Sequence, residues 1–245
     1  MKIGILTGES IRHNALASYL THMGHEVIQF SETTSNPLEE DLSIKNYFDA
    51  VKEKEFQIFS EKKWNLNLEN KVYLKKGDIN LLPKLLDPLF TCERIIVFGA
   101  SFIKDELYKK LCDIKTVNLH IGISPQYTGS GCNFWAMYDN NLQYVGGTIQ
   151  TLSEKLDEGK ILKYCYPEID YTNFDPLMFS MNAVKATFEE VEDVLINYDD
   201  FIVNAKNNEA DKLIRHSKIK DFNAEVIKSF YTQTFDLNEI ELLRQ

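Results

Sequence analysis

The sequence predicts an α/β fold, a mostly parallel sheet with flanking helices, and three observations carry that reading. Lys2 to Leu6 is a short apolar run closed by Thr7-Gly8-Glu9-Ser10. Apolar spacing then turns helical through Leu16, Leu20 and Met23, and a second apolar run, Val27 to Phe30, follows Gly24. Strand, turn, helix and strand within the first thirty residues make a βαβ unit, which needs a parallel sheet covered by helices. Further on, Arg94 to Ala100 is a near-continuous apolar run ending in small residues, as in a strand buried on both faces.

The remaining elements follow in order. Ser10 is placed to cap the first helix. Residues 31–43 are polar and acidic with Pro37, and read as a loop. Lys45 to Ser60 carries Tyr47, Phe48, Val51, Phe56 and Phe59 at helical spacing. Val72 to Leu74 reads as a strand, and Leu81 to Phe90, broken by Pro83 and Pro88, as short helix at most. Ile103 to Leu111 is helical, Thr116 to Leu119 a strand, and Phe134 to Tyr138 a short helix. Val145 to Leu152 and Ile161 to Ile169 form a hairpin around Asp157-Glu158-Gly159. Pro176 to about Val203 is one long helix with Met178, Met181, Val184, Phe188, Val191 and Leu195 on a stripe. Residues 1–203 thus form the main domain, and 204–245 a C-terminal extension for packing or dimerisation.

Composition narrows the function. The 245 residues are 44% hydrophobic and 26% charged, ordinary for a globular protein, with a net charge of -10. A nucleic-acid binder would show a basic footprint, so nucleic acid is not an expected partner. No apolar run approaches the length of a membrane span and the N-terminus does not read as a signal peptide, which predicts a cytoplasmic protein with no membrane partner. Cys92, Cys112, Cys132 and Cys165 form no C-x-x-C pair, so reduced, mostly buried thiols and no metal are expected.

The chemistry concentrates in Val117-Asn118-Leu119-His120. Asn118 and His120 lie two apart, hence on one face of a strand, and at its carboxyl end, where open parallel sheets bind ligands. Asp157 offers a carboxylate on the later turn. The turn after the first strand lacks G-x-G-x-x-G, so no dinucleotide fingerprint is present. A helix N-terminus after Gly8 can still receive a phosphate, with Ser10 at the cap and Arg12 and His13 adding charge. Trp135 reads as core, Tyr127 as loop support or a substrate contact, and His22, His25 and His216 as surface.

Asn118-Leu119-His120, Ser124-Pro125-x-Tyr127-x-Gly129, Trp135-Ala136, Gly147-Thr148-Ile149 and Asp157-x-Gly159-x-Ile161 together resemble the folate-dependent formyltransferases. The resemblance implies their Rossmann-like fold, N10-formyltetrahydrofolate as formyl donor and no metal. It makes Asn118, His120 and Asp157 the catalytic residues. It places the pterin against Phe98, Gly99, Ala100, Ser101 and Phe102, and against the segment from Leu152 through Leu156 to Asp157. In the implied chemistry an amine attacks the formyl carbon. His120 moves protons or stabilises the oxyanion, Asn118 donates an N–H to it, and Asp157 pairs with His120 or orders a water.

The acceptor is read from departures within the family. Methionyl-tRNA formyltransferases carry a further C-terminal β-barrel, whereas residues 204–245 are short, and tRNA calls for Lys and Arg contacts. Glycinamide ribonucleotide formyltransferases show a Gly-Ser-Asn type loop where this chain has Gly8-Glu9-Ser10-Ile11-Arg12. Ser130 to Trp135 and Lys218 to Phe222 look like small bacterial sugar N-formyltransferases. That branch implies a nucleotide-linked, commonly dTDP-linked, amino-deoxysugar acceptor for surface polysaccharide (O-antigen), bound with Gly8, Ser10, Arg12, His13 and Tyr127, and a homodimer. The two other acceptors, and a catalytically idle folate- or nucleotide-binding relative, are the alternatives.

Overall fold

A computed structural model describes residues 1–33, 41–66, 70–81, 83–155, 157–238, 240 and 244. The chain starts with β1 (Lys2–Thr7), α1 (Ile11–His22), β2 (Glu26–Thr33), α2 (Leu42–Ile58) and β3 (Lys71–Lys75). A 3-10 stretch, Pro83–Thr91, leads into β4 (Arg94–Phe98), α3 (Asp105–Cys112) and β5 (Thr116–His120). Then come β6 (Tyr127–Gly129), α4 (Cys132–Tyr138), β7 (Gly147–Thr151), β8 (Ile161–Cys165), α5 (Pro176–Ile196), α6 (Tyr198–Val203), β9 (Arg215–Ser217) and α7 (Ala224–Tyr231).

Seven strands form one sheet in the order β3-β2-β1-β4-β5-β7-β8. The first five are parallel, and β7 and β8 add as an antiparallel hairpin on β5. The fold is therefore the mostly parallel α/β sheet with flanking helices that the sequence predicts. Ile3, Ile5, Ile96, Val117 and Ile149 are fully buried, which is why these strands read as apolar runs rather than alternations. α5 lies across them with Val184, Phe188, Val191 and Leu195 on its buried stripe. Strand order reverses between β1 and β4, and the Thr7 hydroxyl ties the two strand ends by donating to the Phe98 carbonyl at 2.7 Å.

Several boundaries differ from the sequence reading. β2 continues to Thr33, and α2 begins at Leu42 because the Asp41 carboxylate caps it, accepting from the Ser43 and Ile44 N–H groups at 2.8 and 3.2 Å. The rest of the expected loop, 34–40, lies outside the described residues. The long helix is two, α5 and α6, broken at Asn197 (φ -101, ψ 31), whose amide N–H closes the first helix onto Asp193. Ser10 occupies the N-cap position of α1 but its side chain makes no capping bond; the hydroxyl faces His13 Nδ1 at 2.8 Å instead.

The C-terminal extension is part of the main body. β9 pairs in parallel with β6 and makes a second, two-stranded sheet. Phe222, Ile227 and Phe230 are buried in a cluster with Tyr47, Phe134 and Trp135. Phe222 lies over Gly131, where a Cβ would come within 2.6 Å of its ring, so glycine admits both the left-handed backbone (φ 69) and the covering ring. All four cysteines are free, Cys112 exposed and the others buried.

Candidate active site

β5 is flanked by β4 and β7, and its end carries the two polar side chains. Asn118 sits opposite Val97 on one side and Gln150 on the other; His120 sits opposite Thr148. The hairpin after β7 brings Asp157 back to β5, with Asp157 in the left-handed region (φ 56), a conformation Asp tolerates better than most residues. His120 Nδ1 and Asp157 Oδ1 are 3.2 Å apart, both side chains buried. The second carboxylate oxygen, Oδ2, accepts the Gly129 N–H at 3.1 Å. His120 Nε2 faces the Tyr127 carbonyl at 2.8 Å.

Both ring nitrogens of His120 thus face acceptors, which suits the doubly protonated imidazolium. Burial on its own would lower the His120 pKa, but Asp157 and the Cys132 sulfur outweigh it and hold it well above the ordinary value. Burial would raise Asp157, yet His120, the Gly129 N–H and His216 hold it below the ordinary carboxylate value. The two groups form a buried ion pair, with the Tyr127 carbonyl at Nε2 and the Gly129 N–H at Oδ2 as main-chain partners.

Two clefts open on either side of this pair. The first is lined by Ala100, Ser101 and Phe102 after β4, Asn118 on β5, Gln150 on β7, Leu152 just after β7, and Asp157. The second, about 820 Å³, is bounded by Arg12, Tyr47, Ile121, Cys132, Asn133 and Phe222. Residues 118–121 separate them: Asn118 faces the first cleft and Ile121 the second. Among the described residues the Asn118 amide has no side-chain partner.

The structure sorts the expected residues. Asn118, Asp157, Ala100, Ser101, Phe102 and Leu152 share the first cleft. Leu156 lies outside the described residues. Phe98 and Gly99 turn instead to His13, whose ring lies 4.8 Å from Phe98, and a Cβ on Gly99 would meet its Nε2 at 2.6 Å. The imidazole of His13 thereby plugs the crevice between β1 and β4. Its pKa is pushed down to about 3 by burial first and then by Arg12 and Lys71, so the imidazole, expected to add charge at the first turn, is neutral here and lines neither cleft. Arg12 rims the second cleft but is paired, Nε to Oε1 at 2.6 Å, with the buried carboxylate of Glu55. Gly8 packs against His13 and the Gly99 carbonyl, and the Ser10 hydroxyl is shared between His13 and, at 3.5 Å, Glu55.

Tyr127 is corrected as a substrate contact. Its side chain is wholly buried; the hydroxyl donates to Asp139 Oδ2 at 3.2 Å and accepts from Asn141 Nδ2 at 2.8 Å. Its main-chain carbonyl is what reaches the site. Trp135 is core as expected. His25 is not a free surface residue, since its Nε2 meets Glu192 at 2.8 Å. His216 is exposed, but it stands near enough to Asp157 to favour its ionised form.

Sequence reasoning missed three contributors. Glu32, buried at the end of β2, accepts the Ser101 and Gly77 N–H groups, both at 2.6 Å, and so fixes the turn lining the first cleft. Gln150 is buried with neither amide atom partnered; the period-two register would have put it beside Asn118. Asn208 donates from Nδ2 to the Asp157 carbonyl at 2.6 Å, and nothing in the local pattern signals it.

Among the described residues no group of three His, Cys, Asp or Glu side chains is placed to hold a metal ion, and no helix is long and apolar enough to cross a membrane.

No family model and no curated protein matches this sequence. Solved structures do. A phosphoribosylglycinamide formyltransferase from Anaplasma phagocytophilum is 13% identical over 80% of this chain and 88% of its own, with a TM-score of 0.55. A sugar N-formyltransferase from a Shewanella species is 14% identical over all of this chain and 87% of its own, TM-score 0.53. HypX from Aquifex aeolicus, in complex with tetrahydrofolic acid, is 18% identical over 92% of this chain and 30% of its own, TM-score 0.53. The likeness reaches across proteins of different acceptors and lies in the backbone: this chain has the fold of the formyltransferases.

Proposed function

We propose that the protein transfers the formyl group of N10-formyltetrahydrofolate to the amine of a nucleotide-linked amino-deoxysugar, for surface polysaccharide. The observation that carries the transfer is the meeting of Asn118 and Asp157 in one cleft, with His120 behind Asp157. The first cleft suits the folate. Phe102, Ile103 and Leu152 give apolar walls for a flat ring, and Asn118 and Gln150 give amide groups for its polar edge. The tetrahydrofolate bound to the HypX neighbour supports this choice of donor.

In the reaction the amine nitrogen bonds to the formyl carbon, the bond from that carbon to N10 breaks, and the proton lost by the amine is balanced by one gained at N10. Asn118 donates an N–H to the oxygen that gains charge; one such donor is worth about 10²–10³ in rate. Asp157, ionised and at the cleft wall, attracts the amine and holds the water through which its proton leaves. His120 supplies the balancing positive charge. For Nε2 to act on the substrate directly it must leave the Tyr127 carbonyl.

The second cleft suits the acceptor. Tyr47, Phe48 and Phe222 offer ring faces for a base, and Arg12 stands at the rim. The Shewanella neighbour supports a sugar acceptor.

The test is transfer itself. The protein is incubated with N10-formyltetrahydrofolate and a panel of nucleotide-linked amino sugars, with glycinamide ribonucleotide as control, and product mass is followed. A formylated sugar nucleotide is expected. Formylation of glycinamide ribonucleotide alone overturns the acceptor, and folate binding without turnover on any amine marks a catalytically idle protein.

A further inference from the structure

We propose that the C-terminal segment belongs to the catalytic apparatus, with Asn208 as a positioning residue that fixes Asp157 against His120. The proposal rests on the catalytic reading of His120 and Asp157. Three contacts carry it. The Asn208 amide donates to the Asp157 carbonyl at 2.6 Å and approaches the Gly159 carbonyl at 3.5 Å. Lys206, two residues earlier, forms an isolated antiparallel bridge to Ile161, its N–H donating to the Ile161 carbonyl at 3.0 Å and its carbonyl accepting the Ile161 N–H at 2.8 Å. Farther along, β9 is the sole described partner of β6, the strand that supplies the Gly129 N–H to Asp157 Oδ2.

The segment therefore grips Asp157 at both ends. Asn208 holds its main chain, and β9, through β6, holds the donor to its carboxylate. The need for such a grip follows from the backbone. Asp157 sits at φ 56, which Asp tolerates better than most non-glycine residues but still at a small cost, so contacts that hold the turn help keep it there. A turn free to relax from that conformation would swing the carboxylate away from Nδ1. Gly159 leaves the turn no slack on the other side, because a Cβ there would collide with the Thr151 carbonyl. The titratable groups that face His120 are Asp157 and the Cys132 sulfur, with His216 from β9 acting on Asp157; Asn208 touches none of the reacting atoms and acts only through Asp157.

The experiment compares the protein with its Asn208→Ala and Asn208→Leu variants, the second keeping the branched four-atom side-chain shape in case the first loosens the fold. Two readouts are taken: the NMR titration of the His120 imidazole, and kcat and KM for formyl transfer. The expected result is a His120 midpoint lower by about half a pH unit or more in both variants, as a weakened carboxylate partner dictates. A kcat lower by about tenfold with KM nearly unchanged should accompany it, as for a loss felt in the transition state. Asn208→Ser, which keeps a donor, should recover part of both. A folded variant whose His120 titrates as in the wild type overturns the proposal, even if kcat falls. The titration needs no substrate, so a wild-type protein that transfers no formyl group would fail the proposed function and leave this test of Asn208 standing on its own readout.

Discussion

His120 Nδ1 lies 3.2 Å from Asp157 Oδ1, joining the end of a buried strand to a hairpin turn. Because Nε2 is bound to the Tyr127 carbonyl, the ring keeps a proton there in either charge state. Asp157→Asn keeps the shape but offers Nδ1 an amide, whose N–H can donate to a neutral ring. His120 should then titrate lower than in the wild type, and kcat should fall by about 10²–10⁴, the span of a lost acid–base partner. NMR titration of the imidazole and steady-state kinetics check the two parts. An unchanged midpoint would mean that Asp157 does not set the charge of His120.

The same pair gives stability a pH window. His120 has a folded pKa raised above its unfolded value of about 6.5, so its contribution is full below that value and is lost as pH rises through the raised one. Asp157 has a folded pKa below its ordinary value of 3.8, so its contribution is present above that value and is lost as pH falls through the lowered one. Wild type and Asp157→Asn should differ most in urea midpoint near pH 5–6, where both groups are charged in either state. The gap should narrow toward pH 2 and toward pH 10. A gap constant across that range would show that packing, not charge, separates the two proteins.

His13 works in the opposite sense. Its folded pKa is about 3 and its unfolded value about 6.5, so the unfolded chain takes up a proton that the folded chain refuses. Stability is lost as pH falls below about 6.5 and the loss levels off near 3. The groups around the ring are Arg12, Lys71 and the Ser10 hydroxyl, which it meets at 2.8 Å. His13→Gln, unable to charge, should lose less stability between pH 7 and pH 5 than the wild type does. Equal losses would place the acid sensitivity elsewhere.

Gly122 tests the packing behind His120. A Cβ there would stand 2.5 Å from the Cys132 Cβ and 2.7 Å from His120 Nε2. Gly122→Ala should push the ring off the Tyr127 carbonyl, lowering activity by more than the about 1–3 kcal/mol of stability that overpacking costs would suggest. Gly24→Ala is the control, since Gly24 has positive φ (89) and a Cβ there would meet nothing within 4 Å. It should cost about 1 kcal/mol of backbone strain and leave formyl transfer unchanged. A Gly122→Ala protein with full activity would show that His120 has room to move.

These residues differ in how visible they are in the chain itself. The sheet was legible because β1, β4 and β5 are buried on both faces and so appear as apolar runs. Asn118 and His120 stood out as polar groups ending an apolar strand, while Asp157 as the partner of His120 came from the family resemblance; the structure shows that the two side chains meet. β6 and β9 were not legible, being three residues each and paired across 88 positions of sequence between Tyr127 and Arg215. Such pairing leaves no period to read. Asn208 acts through a single hydrogen bond, and His13 looks like any polar residue in a helix's first turn until Phe98 and Gly99 close on it. The break at Asn197 escaped because the apolar stripe hardly changes across it.

If the proposed acceptor places its phosphates at the rim of the second cleft, the Arg12–Glu55 pair stands in their way. Arg12 is about one-third exposed (31%) and Glu55 nearly sealed (2%), so the cation can exchange its partner and the carboxylate cannot. An incoming diphosphate must compete with Glu55 for the guanidinium. Glu55→Gln keeps an acceptor for Arg12 and removes the competing charge, so binding of dTDP, followed by calorimetry, should tighten several-fold and depend more steeply on salt. Arg12→Met strands the buried carboxylate; it should weaken dTDP binding and cost about 1–3 kcal/mol, less than a fully buried pair because Arg12 is partly solvated. Arg12→Met with Glu55→Leu should regain the stability without the binding, because it removes the stranded charge and still lacks the cation. If all three bind dTDP as the wild type does, the phosphates do not lie at Arg12, and the acceptor enters the second cleft by another edge.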